Sequence, residues 1–466
     1  MSEHPVLRYI SPGAWSLIES QISPRAKDLL VALIDFLEND VIPSEDLYHL
    51  QIPDDPATRW QAIPQALEDL KAKAKAKGLW NLWLSGGEFQ GMAGGQGGGL
   101  TNLEYAVMSE IMGHSIYLAS QATNCSAPDT GNMEVLACFG TSEQKQKYLA
   151  GLLKGETRSS FAMTEYGVAS SDASNLHNTT ASLSSPSSNY YSLSGHKWWI
   201  SGAGDPRTSI HIVVAVTDPS NPSPHKRHSL LLVEPKQKGV KVVRPMKVYG
   251  YDDAPEGHCE VIYDNVQVDK IKGVVGGPEG LGRGFEMLQA RLGPGRLHHC
   301  MRSLGIASRA LDILLQRVSS PNRKTFGKYL KEHGTVLAEI AHARAELDQS
   351  RLLVYAAAKR IDQAGAKGAL QDIGIAKFTV PAMALRTVDR AIQVHGAEGL
   401  SQDQPLAAWY AQLRTLRFAD GPDEVHIQQI GKRELKRVEE LQERSARIRR
   451  ASEKLLKANG KERAKL

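Results

Sequence analysis

The sequence contains little cysteine for its length. Its 466 residues include four cysteines, which are Cys125, Cys138, Cys259 and Cys300. They are isolated from one another and lack the CxxC or CxxxxH spacings of metal sites, so neither a disulfide framework nor a zinc site is predicted. This use of cysteine is typical of a reducing intracellular compartment.

Long apolar runs are also missing. The longest, residues 29–37, is interrupted by Asp35, whereas a membrane-spanning helix needs about 20 predominantly apolar residues. The opening MSEHPVLRYI has an early acid and no apolar stretch like that of a secretory signal, and it is poor in the Arg and Ser of a mitochondrial presequence. We therefore expect no membrane span and no cleaved leader.

Net charge is small outside the last segment. The formal net charge is +5, but residues 432–466 contain 13 Lys/Arg and 6 Asp/Glu, a net charge of +7. The first 431 residues therefore sum to −2, and the sequence pI of 8.8 does not indicate a nucleic-acid-binding core.

The remaining composition is that of a globular chain, with 41% apolar and 23% charged residues and a length typical of two or three domains. Apolar residues have helical spacing in the first third, short β-branched and aromatic runs follow, and long helical segments come last. We predict an α+β multidomain chain: an N-terminal all-α domain over 1–157, a middle antiparallel β-barrel or sandwich over 158–275, a C-terminal helical bundle over 276–435 and a charged helical tail over 436–466.

Individual elements can be predicted as well. Ser23 before Pro24 marks the start of a helix that extends to Asn39, and Thr141 with Gln144 has capping-box spacing. The runs HKWWIS, SIHIVVAV, HSLLLVEP, VKVVRPMKVY and CEVIYDNVQV are predicted strands. Long C-terminal helices are predicted over 285–318, 336–363, 373–394 and 424–457.

Two glycine-rich stretches, residues 94–99 and 276–284, do not match nucleotide-binding loops. Neither has GxGxxG between a strand and a helix, nor GK[ST], so flexible loops are the favoured interpretation. The wider insert at 85–99 has no assigned role.

Five segments combine small, polar and aromatic residues in a way that suits a ligand. They are FAMTEYGVASSDASN (161–175), GHKWWISGAGDPR (195–207), NRKTFGKYLKEH (322–333), QVHGAEG (393–399) and RFADGPDEVH (417–426). Taken singly, each has an ordinary explanation: a Ser-rich turn, two core tryptophans, a solvated helix start, a helix-ending turn, and a helix cap at Asp420.

Taken together and in order, the five segments resemble the acyl-CoA dehydrogenase family over roughly residues 20–435. With SAPDTGNMEVL (126–136), they are most similar to the branch whose base motif reads ADGPDEVH. The resemblance implies a flavoprotein with N-terminal helices, a middle β-domain and a C-terminal four-helix bundle.

The resemblance also implies FAD as cofactor and a set of residues that bind it. These are Phe161, Met163, Thr164, Ser171, Trp199, Ile200, Ser201, Arg323, Lys324, Thr325, Gln393, Val394, His395, Gly396, Ala397, Pro422, Asp423 and Glu424. In the family, FAD spans a subunit interface, so a homodimer or homotetramer is expected. Arg296 and Ser171 are expected to bind substrate.

Asp420 is the expected catalytic base, which removes the α-proton of an acyl thioester while the β-hydrogen leaves as hydride to the flavin. Most members carry Glu at this position. A minority place the base just before the Arg that matches Arg296, but Gly295 cannot serve. Desolvation on substrate binding is expected to raise the pKa of Asp420 towards neutral pH.

Several positions depart from the family pattern. Tyr166 and Gly167 follow Thr-Glu where a Pro is usual, Gly334 replaces a common Gln, and Pro422 replaces a Thr. These differences affect the expected contacts with FAD more than its presence.

The expected function is oxidation of a fatty acyl-CoA to trans-2-enoyl-CoA in fatty acid β-oxidation. The alternatives are an acyl-CoA oxidase that passes electrons to O₂ and a non-catalytic CoA-binding module. The electron acceptor, an electron-transfer flavoprotein or O₂, does not follow from the sequence. Neither does the length, branching or hydroxylation of the acyl chain. Binding of nucleic acid through the basic tail is a more distant alternative.

The sequence ends in Ala464-Lys465-Leu466, a close variant of the SKL peroxisomal signal. We therefore expect a peroxisomal protein that contacts the peroxisomal import receptor, with the mitochondrion or cytoplasm as alternatives.

Overall fold

The computed structural model describes residues 4–84 and 98–461. Most of the insert at 85–99 and the tripeptide Ala464-Lys465-Leu466 lie outside the described residues. The helices before the sheet are α1 Pro12–Ile18, α2 Pro24–Phe36, α3 Glu45–Leu50, α4 Gln65–Ala76, α5 Asn102–Met112, α6 Ala119–Ala122, α7 Asp129–Phe139, α8 Ser142–Gln144 and α9 Ala150–Lys154.

The helix starts in this region follow the local sequence. The Ser23 hydroxyl accepts a hydrogen bond from the backbone N–H of Ala26, and Pro24 occupies the first turn of α2. Thr141 and Gln144 form the predicted capping box at the start of α8. Both predicted starts are confirmed, because each depends only on contacts within one turn.

The middle of the chain is one seven-stranded sheet. Its strands are β1 Arg158–Ala162, β2 Thr180–Leu183, β3 Tyr190–Ser201, β4 Thr208–Val216, β5 His228–Val233, β6 Val240–Met246 and β7 His258–Asp269. The order is β1-β4-β2-β3-β7-β6, with β5 paired to β4. Most pairs are antiparallel, but β1–β4 and β2–β4 run parallel. The sequence did not indicate these two pairs, because β1 and β2 are short and their partner lies beyond β3.

The C-terminal part is a helical bundle. Its elements are α10 Gly284–Ser319, the hairpin strands β8 Lys324–Thr325 and β9 Lys328–Tyr329, then α11 Gly334–Gly368, α12 Leu370–His395, α13 Leu406–Thr415, α14 Asp423–Leu435 and α15 Val438–Ala458. Helix α12 packs against α10, α11, α13 and α14, and α5 joins the bundle against α10 and α11. The predicted fold class is confirmed.

One predicted helix is wrong. The segment 424–457 is two helices, α14 and α15, that separate at residues 436–437. Helix propensity is continuous across this segment, so the local sequence does not mark the break. The two parts differ in packing, because α14 lies against α12 whereas α15 buries none of its residues, all of which the structure describes.

Buried ion pairs join the N-terminal helices to the other two parts. Arg351 of α11 and Glu110 of α5 are both fully buried and lie 2.8 Å apart, and the Tyr355 hydroxyl donates to Glu110 over 2.9 Å. On the sheet side, Asp129 of α7 pairs with Arg158 of β1. These contacts fix the two helical regions and the sheet relative to one another.

Two structural absences apply to residues 4–84 and 98–461. No helix there is both long enough and apolar enough to cross a membrane. The same residues contain no group of three or more His, Cys, Asp or Glu side chains placed to bind a metal ion.

Candidate active site

Asp420 lies in the turn between α13 and α14 and faces α10. Its backbone is in the left-handed region, with φ of 56°, and Gly421 follows with φ of 108°. The carboxylate is largely buried: Oδ2 lies 3.3 Å from His299 Nε2, and Oδ1 lies 4.0 Å from Arg291 Nη1. The turn therefore directs one acid into a basic region of α10.

Gly295 provides the space for this carboxylate. A Cβ atom at position 295 would lie 3.0 Å from Asp420 Oδ2, closer than almost all real side-chain contacts. Position 295 is where a minority of the resembling family carries its base. The two positions therefore converge in space, and in this chain Asp420 is the one of the two that carries an acid.

The backbone of the turn is held from two sides. Arg296 Nε donates to the Asp420 carbonyl over 2.8 Å. The fully buried Lys377 of α12 donates to the carbonyls of Leu416 and Gly421. Arg296, predicted to bind substrate, thus contacts the backbone of Asp420, and its expected contact with substrate stays a prediction.

The contact with Arg302 decides which ring nitrogen of His299 carries the proton. Arg302 Nη2 lies 3.1 Å from His299 Nδ1, and because a guanidinium can only donate, Nδ1 is the acceptor. Burial lowers the pKa of His299, so the ring is neutral at pH 7 and carries its proton on Nε2, which faces Asp420. His299 is therefore a neutral hydrogen-bond donor to the carboxylate.

Asp420 is held in its charged form. Burial acts to raise its pKa, but the hydrogen bond from His299 and the guanidinium groups of Arg291 and Arg296 outweigh burial and hold the pKa well below its ordinary value. The rise in pKa expected on substrate binding stays a prediction.

Three residues near Asp420, which are Arg291, His299 and Arg302, were not predicted from the sequence. Arg291, Gly295, His299 and Arg302 follow one another at spacings of four, four and three, so they form one stripe along α10. The rest of α10 also contains charged and polar residues, so this stripe does not stand out in the sequence. Its contact with Asp420 has no local signal either, because Asp420 lies far along the chain from α10.

The sheet presents an exposed tryptophan. The pairing of β3 with β7 shifts register between Lys197 and Ile200, and this bulge contains Trp199 with φ of 56°. Its indole is 38% exposed, whereas Trp198 is half-buried and packs edge-on against Tyr166. Trp199 is therefore not a core residue, and its expected contact with FAD stays a prediction.

The other predicted residues of β3 are placed differently. Ile200 is buried in the sheet core, so its side chain does not face a ligand. The Ser201 hydroxyl is 2.8 Å from His258 Nδ1, and burial lowers the pKa of His258 to about 4, which keeps the ring neutral. The predicted contact of Ser201 with the flavin stays a prediction.

A buried ion pair, not predicted from sequence, anchors the loop after β1 to β3. Glu165 and Lys197 are fully buried and lie 3.0 Å apart. Glu165 also accepts hydrogen bonds from the backbone N–H groups of residues 177–179, and Lys197 donates to the Met163 carbonyl over 2.8 Å. The Thr164 carbonyl in turn accepts from the Trp198 N–H. The first ligand segment and the exposed Trp199 are therefore held in one rigid unit.

Phe161 connects this unit to the base. The Arg291 guanidinium lies 4.1 Å from the centre of the Phe161 ring, and the same guanidinium faces Asp420. Met163 and Thr164 are half-buried beside it, while Ser171 is exposed further along the loop. The structure thus brings the first ligand segment, α10 and the predicted base into one site.

A second group of predicted residues lies around Glu398. Its carboxylate pairs with Arg317 at 2.7 Å and with Arg323 at 3.1 Å, and Arg317 also donates to the His395 carbonyl. The hairpin with Lys324 and Thr325 and the turn with Gln393, Val394, Gly396 and Ala397 are therefore neighbours. Phe326 at the hairpin tip is 96% exposed.

The residues present fit FAD. Trp199 offers an exposed ring face, and the Arg323–Lys324 hairpin offers exposed cations suited to a diphosphate. In the turn after the base, Pro422 precedes α14, Glu424 is exposed, and Asp423 Oδ1 is buried with no hydrogen-bond partner among the described residues. The other oxygen of Asp423 pairs with Arg417, so Oδ1 is the atom of this side chain that is left to contact water or a bound molecule.

Comparison with known proteins agrees with this geometry. The N-terminal, middle and C-terminal domains of acyl-CoA dehydrogenases match residues 54–156, 160–266 and 282–435. The chain belongs to the acyl-CoA dehydrogenase family, a class of oxidoreductases. Solved structures of the same fold include complexes with FAD and FADH₂.

Particular relatives are similar over most of this chain. Mouse acyl-CoA dehydrogenase family member 10 is 49% identical over 91% of the chain, which spans 38% of that protein. FadE2 of Mycobacterium tuberculosis is 46% identical over 89% of the chain and 97% of its own length. A solved structure from Mycobacterium abscessus, described as that of an acyl-CoA dehydrogenase, has a TM-score of 0.81 and 41% sequence identity to this chain. The match covers 89% of this chain and 99% of that one.

Proposed function

We propose that the chain is an FAD-dependent acyl-CoA dehydrogenase that converts a fatty acyl-CoA to the trans-2-enoyl-CoA in fatty acid β-oxidation, with Asp420 as the base. The observation that carries the proposal is the placement of one charged carboxylate between Arg291 and His299, beside the space left by Gly295. FAD, when bound, supplies the acceptor for the β-hydrogen as hydride.

The protein's own groups divide the work. Asp420 accepts the α-proton, and His299 and the Arg296 contact to its backbone orient it. Arg291 and Arg296 stabilise the negative charge that develops on the substrate as the proton leaves. A bound thioester displaces water from this pocket, and the resulting desolvation raises the basicity of Asp420 at the moment it is needed.

The ring system of FAD is held by Trp199, Thr164 and Met163. The ion pair of Glu165 with Lys197 fixes these residues relative to one another. Arg323, Lys324 and the turn at 393–397 bind the phosphate end across the interface of a homodimer or homotetramer. Arg323, Lys324, Gln393, Gly396 and Ala397 are exposed in the single chain, which is consistent with a partner-facing surface, whereas Val394 is half-buried and His395 is buried.

The direct test is Asp420→Asn, which keeps the shape of the side chain and removes the base. We expect a folded yellow protein whose flavin absorbance is bleached by acyl-CoA about 10²- to 10⁴-fold more slowly under anaerobic conditions. Asp420→Glu, which retains a carboxylate, is the matched control and should keep much of the rate. Bleaching of Asp420→Asn at the normal rate would exclude Asp420 as the base.

Two measurements separate the alternatives. Oxygen consumption without an added electron acceptor identifies an acyl-CoA oxidase, whereas dependence on an electron-transfer flavoprotein identifies a dehydrogenase. A purified protein that binds CoA and carries no flavin supports the non-catalytic module.

Anaerobic titration of the flavin absorbance with acyl-CoAs from short to very long, including 4-hydroxy forms, identifies the substrate class.

We also propose a peroxisomal location, which depends on Ala464-Lys465-Leu466 forming a free carboxyl terminus. An amino-terminally tagged chain should localise to peroxisomes, and deletion of the tripeptide should release an active enzyme to the cytosol. Cytosolic localisation of the intact tagged chain would refute this proposal.

A further inference from the structure

Helix α15 lies beyond the region that matches the family, which ends at residue 435. None of its residues, all of which the structure describes, is buried. Its larger apolar side chains are therefore exposed to solvent, with Leu441 at 43%, Ile448 at 57% and Leu455 at 66%. A helix that exposes apolar side chains on every turn or two has a face that needs a partner.

The apolar and small residues of α15 follow a heptad repeat. The stripe consists of Val438, Leu441, Ser445, Ile448, Ser452 and Leu455. Its spacing of three and four residues is sustained for three heptads, which is the pattern of a two-stranded coiled-coil seam. The seam is narrow, because the remaining positions are mostly charged.

The charges of α15 are distributed unevenly along its length. The first six residues, 438–443, contain three Glu and no base, whereas residues 444–458 contain six Lys/Arg and one Glu. Two copies placed antiparallel set the acidic start of each helix beside the basic end of the other, and they also oppose the helix dipoles. Two parallel copies would set Arg444 beside Arg449 of the second copy, which is repulsive.

Residue size favours the same arrangement. In an antiparallel pair centred between residues 446 and 447, Ser445 faces Ile448 of the second copy and Leu441 faces Ser452 of the second copy. Each of these layers combines a large side chain with a small one, so the seam fills evenly. In a parallel pair, serines face serines and leave the seam under-packed.

We infer that α15 is a self-association element, which pairs antiparallel with α15 of a second copy of this chain. The alternative, a membrane surface, fits less well. Interfacial helices have a wide apolar face, often with aromatic residues, and a basic polar face, whereas α15 has a narrow stripe, no aromatic residue and an acidic start.

Disulfide cross-linking tests both the pairing and its direction in the full-length chain. A Cys138→Ser background removes the exposed native thiol. Ser445→Cys and Ile448→Cys are made in separate chains of different tag length and then mixed. The antiparallel pair predicts a disulfide between the two different chains, because these positions face each other within the roughly 7 Å Cα separation that a disulfide requires.

Matched variants show whether the seam is responsible. Leu441→Asp in both chains should abolish the mixed cross-link, whereas Ala446→Asp, which adds the same charge on the outer face, should leave it intact. Both variants should retain flavin and thermal stability, because α15 buries nothing against the rest of the chain.

Three results would overturn the inference. The first is no mixed cross-link, and the second is a self-cross-link of Ser445→Cys alone, which indicates a parallel pair. The third is binding of the full chain to phosphatidylserine vesicles that Leu441→Asp abolishes, without any cross-link, which would assign the apolar stripe to a membrane surface.

Discussion

Glu165→Gln is the most informative perturbation of the loop that carries the first ligand segment. The substitution removes the negative charge that compensates Lys197, a side chain with no solvent exposure. It also replaces a carboxylate that accepts four hydrogen bonds by an amide with a single acceptor oxygen. The buried ammonium is then left without an anion.

The size of the effect follows from two independent arguments. Removal of one partner of a buried ion pair typically costs about 3–5 kcal/mol. Alternatively, Lys197 escapes the cost of burial by losing its proton; because its pKa is already lowered to about 8 in wild type, this costs only about 1 kcal/mol more at pH 7. Loss of the proton sets the lower limit, and the hydrogen bonds that the amide cannot make add to it, so we expect a loss of about 1–3 kcal/mol in the free energy of unfolding.

The pH dependence identifies the cause. In wild type, burial lowers the pKa of Lys197 to about 8 even with Glu165 present. In Glu165→Gln the pKa falls further, so between pH 7 and 9 the folded variant binds fewer protons than the unfolded chain, and its stability rises with pH. Wild type gains less over this range, because its folded state keeps the proton up to about pH 8. The difference in the free energy of unfolding between wild type and Glu165→Gln should therefore shrink by about 1 kcal/mol from pH 7 to pH 9.

Urea denaturation followed by tryptophan fluorescence at pH 7, 8 and 9 measures these differences, and FAD retention reports on the loop. Glu165→Gln with Lys197→Met is the control: it removes the buried charge and should recover more than half of the lost stability. A deficit that does not change with pH, or a double variant no more stable than the single one, would refute the assignment to an uncompensated lysine.

Two further predictions concern the base. Gly295→Ala should lower the anaerobic rate of flavin bleaching by roughly 10- to 100-fold without changing the unfolding midpoint, because its Cβ displaces the Asp420 carboxylate. Gly293→Ala on the same helix is the control and should bleach at a rate near that of wild type, because its Cβ has only ordinary contacts. Equal effects of the two variants would contradict the steric argument. His299→Leu should lower the same bleaching rate by roughly 10- to 100-fold, because it removes a hydrogen bond to a charged group. His299→Gln can still donate a hydrogen bond, so its bleaching rate should fall by a smaller factor. Equal rates for the two variants would show that His299 does not orient Asp420.

Some residues of the site were predicted from the sequence, and others were not. Asp420, Phe161 and Trp199 were identified through motifs, and the structure places Asp420 and Phe161 on either side of Arg291. Arg291 and His299 were missed, because a single residue in a helix has no local signal for what it faces. Arg296 was identified, but its contact with the backbone of Asp420 follows only from the packing of α10 against the turn.

The sequence by itself determined the order of helices, sheet and bundle, the helix starts at Ser23 and Thr141, and the segments that carry the family resemblance. These features depend on composition, periodicity and contacts within one turn, all of which are local along the chain. The tertiary structure alone decided the parallel pairs of β4, the break before α15, the ion pair of Glu165 with Lys197 and the charged state of Asp420. Each of these depends on the burial of groups that lie far apart in sequence, and burial is what makes an ion pair, a pKa shift or a strand pairing energetically decisive.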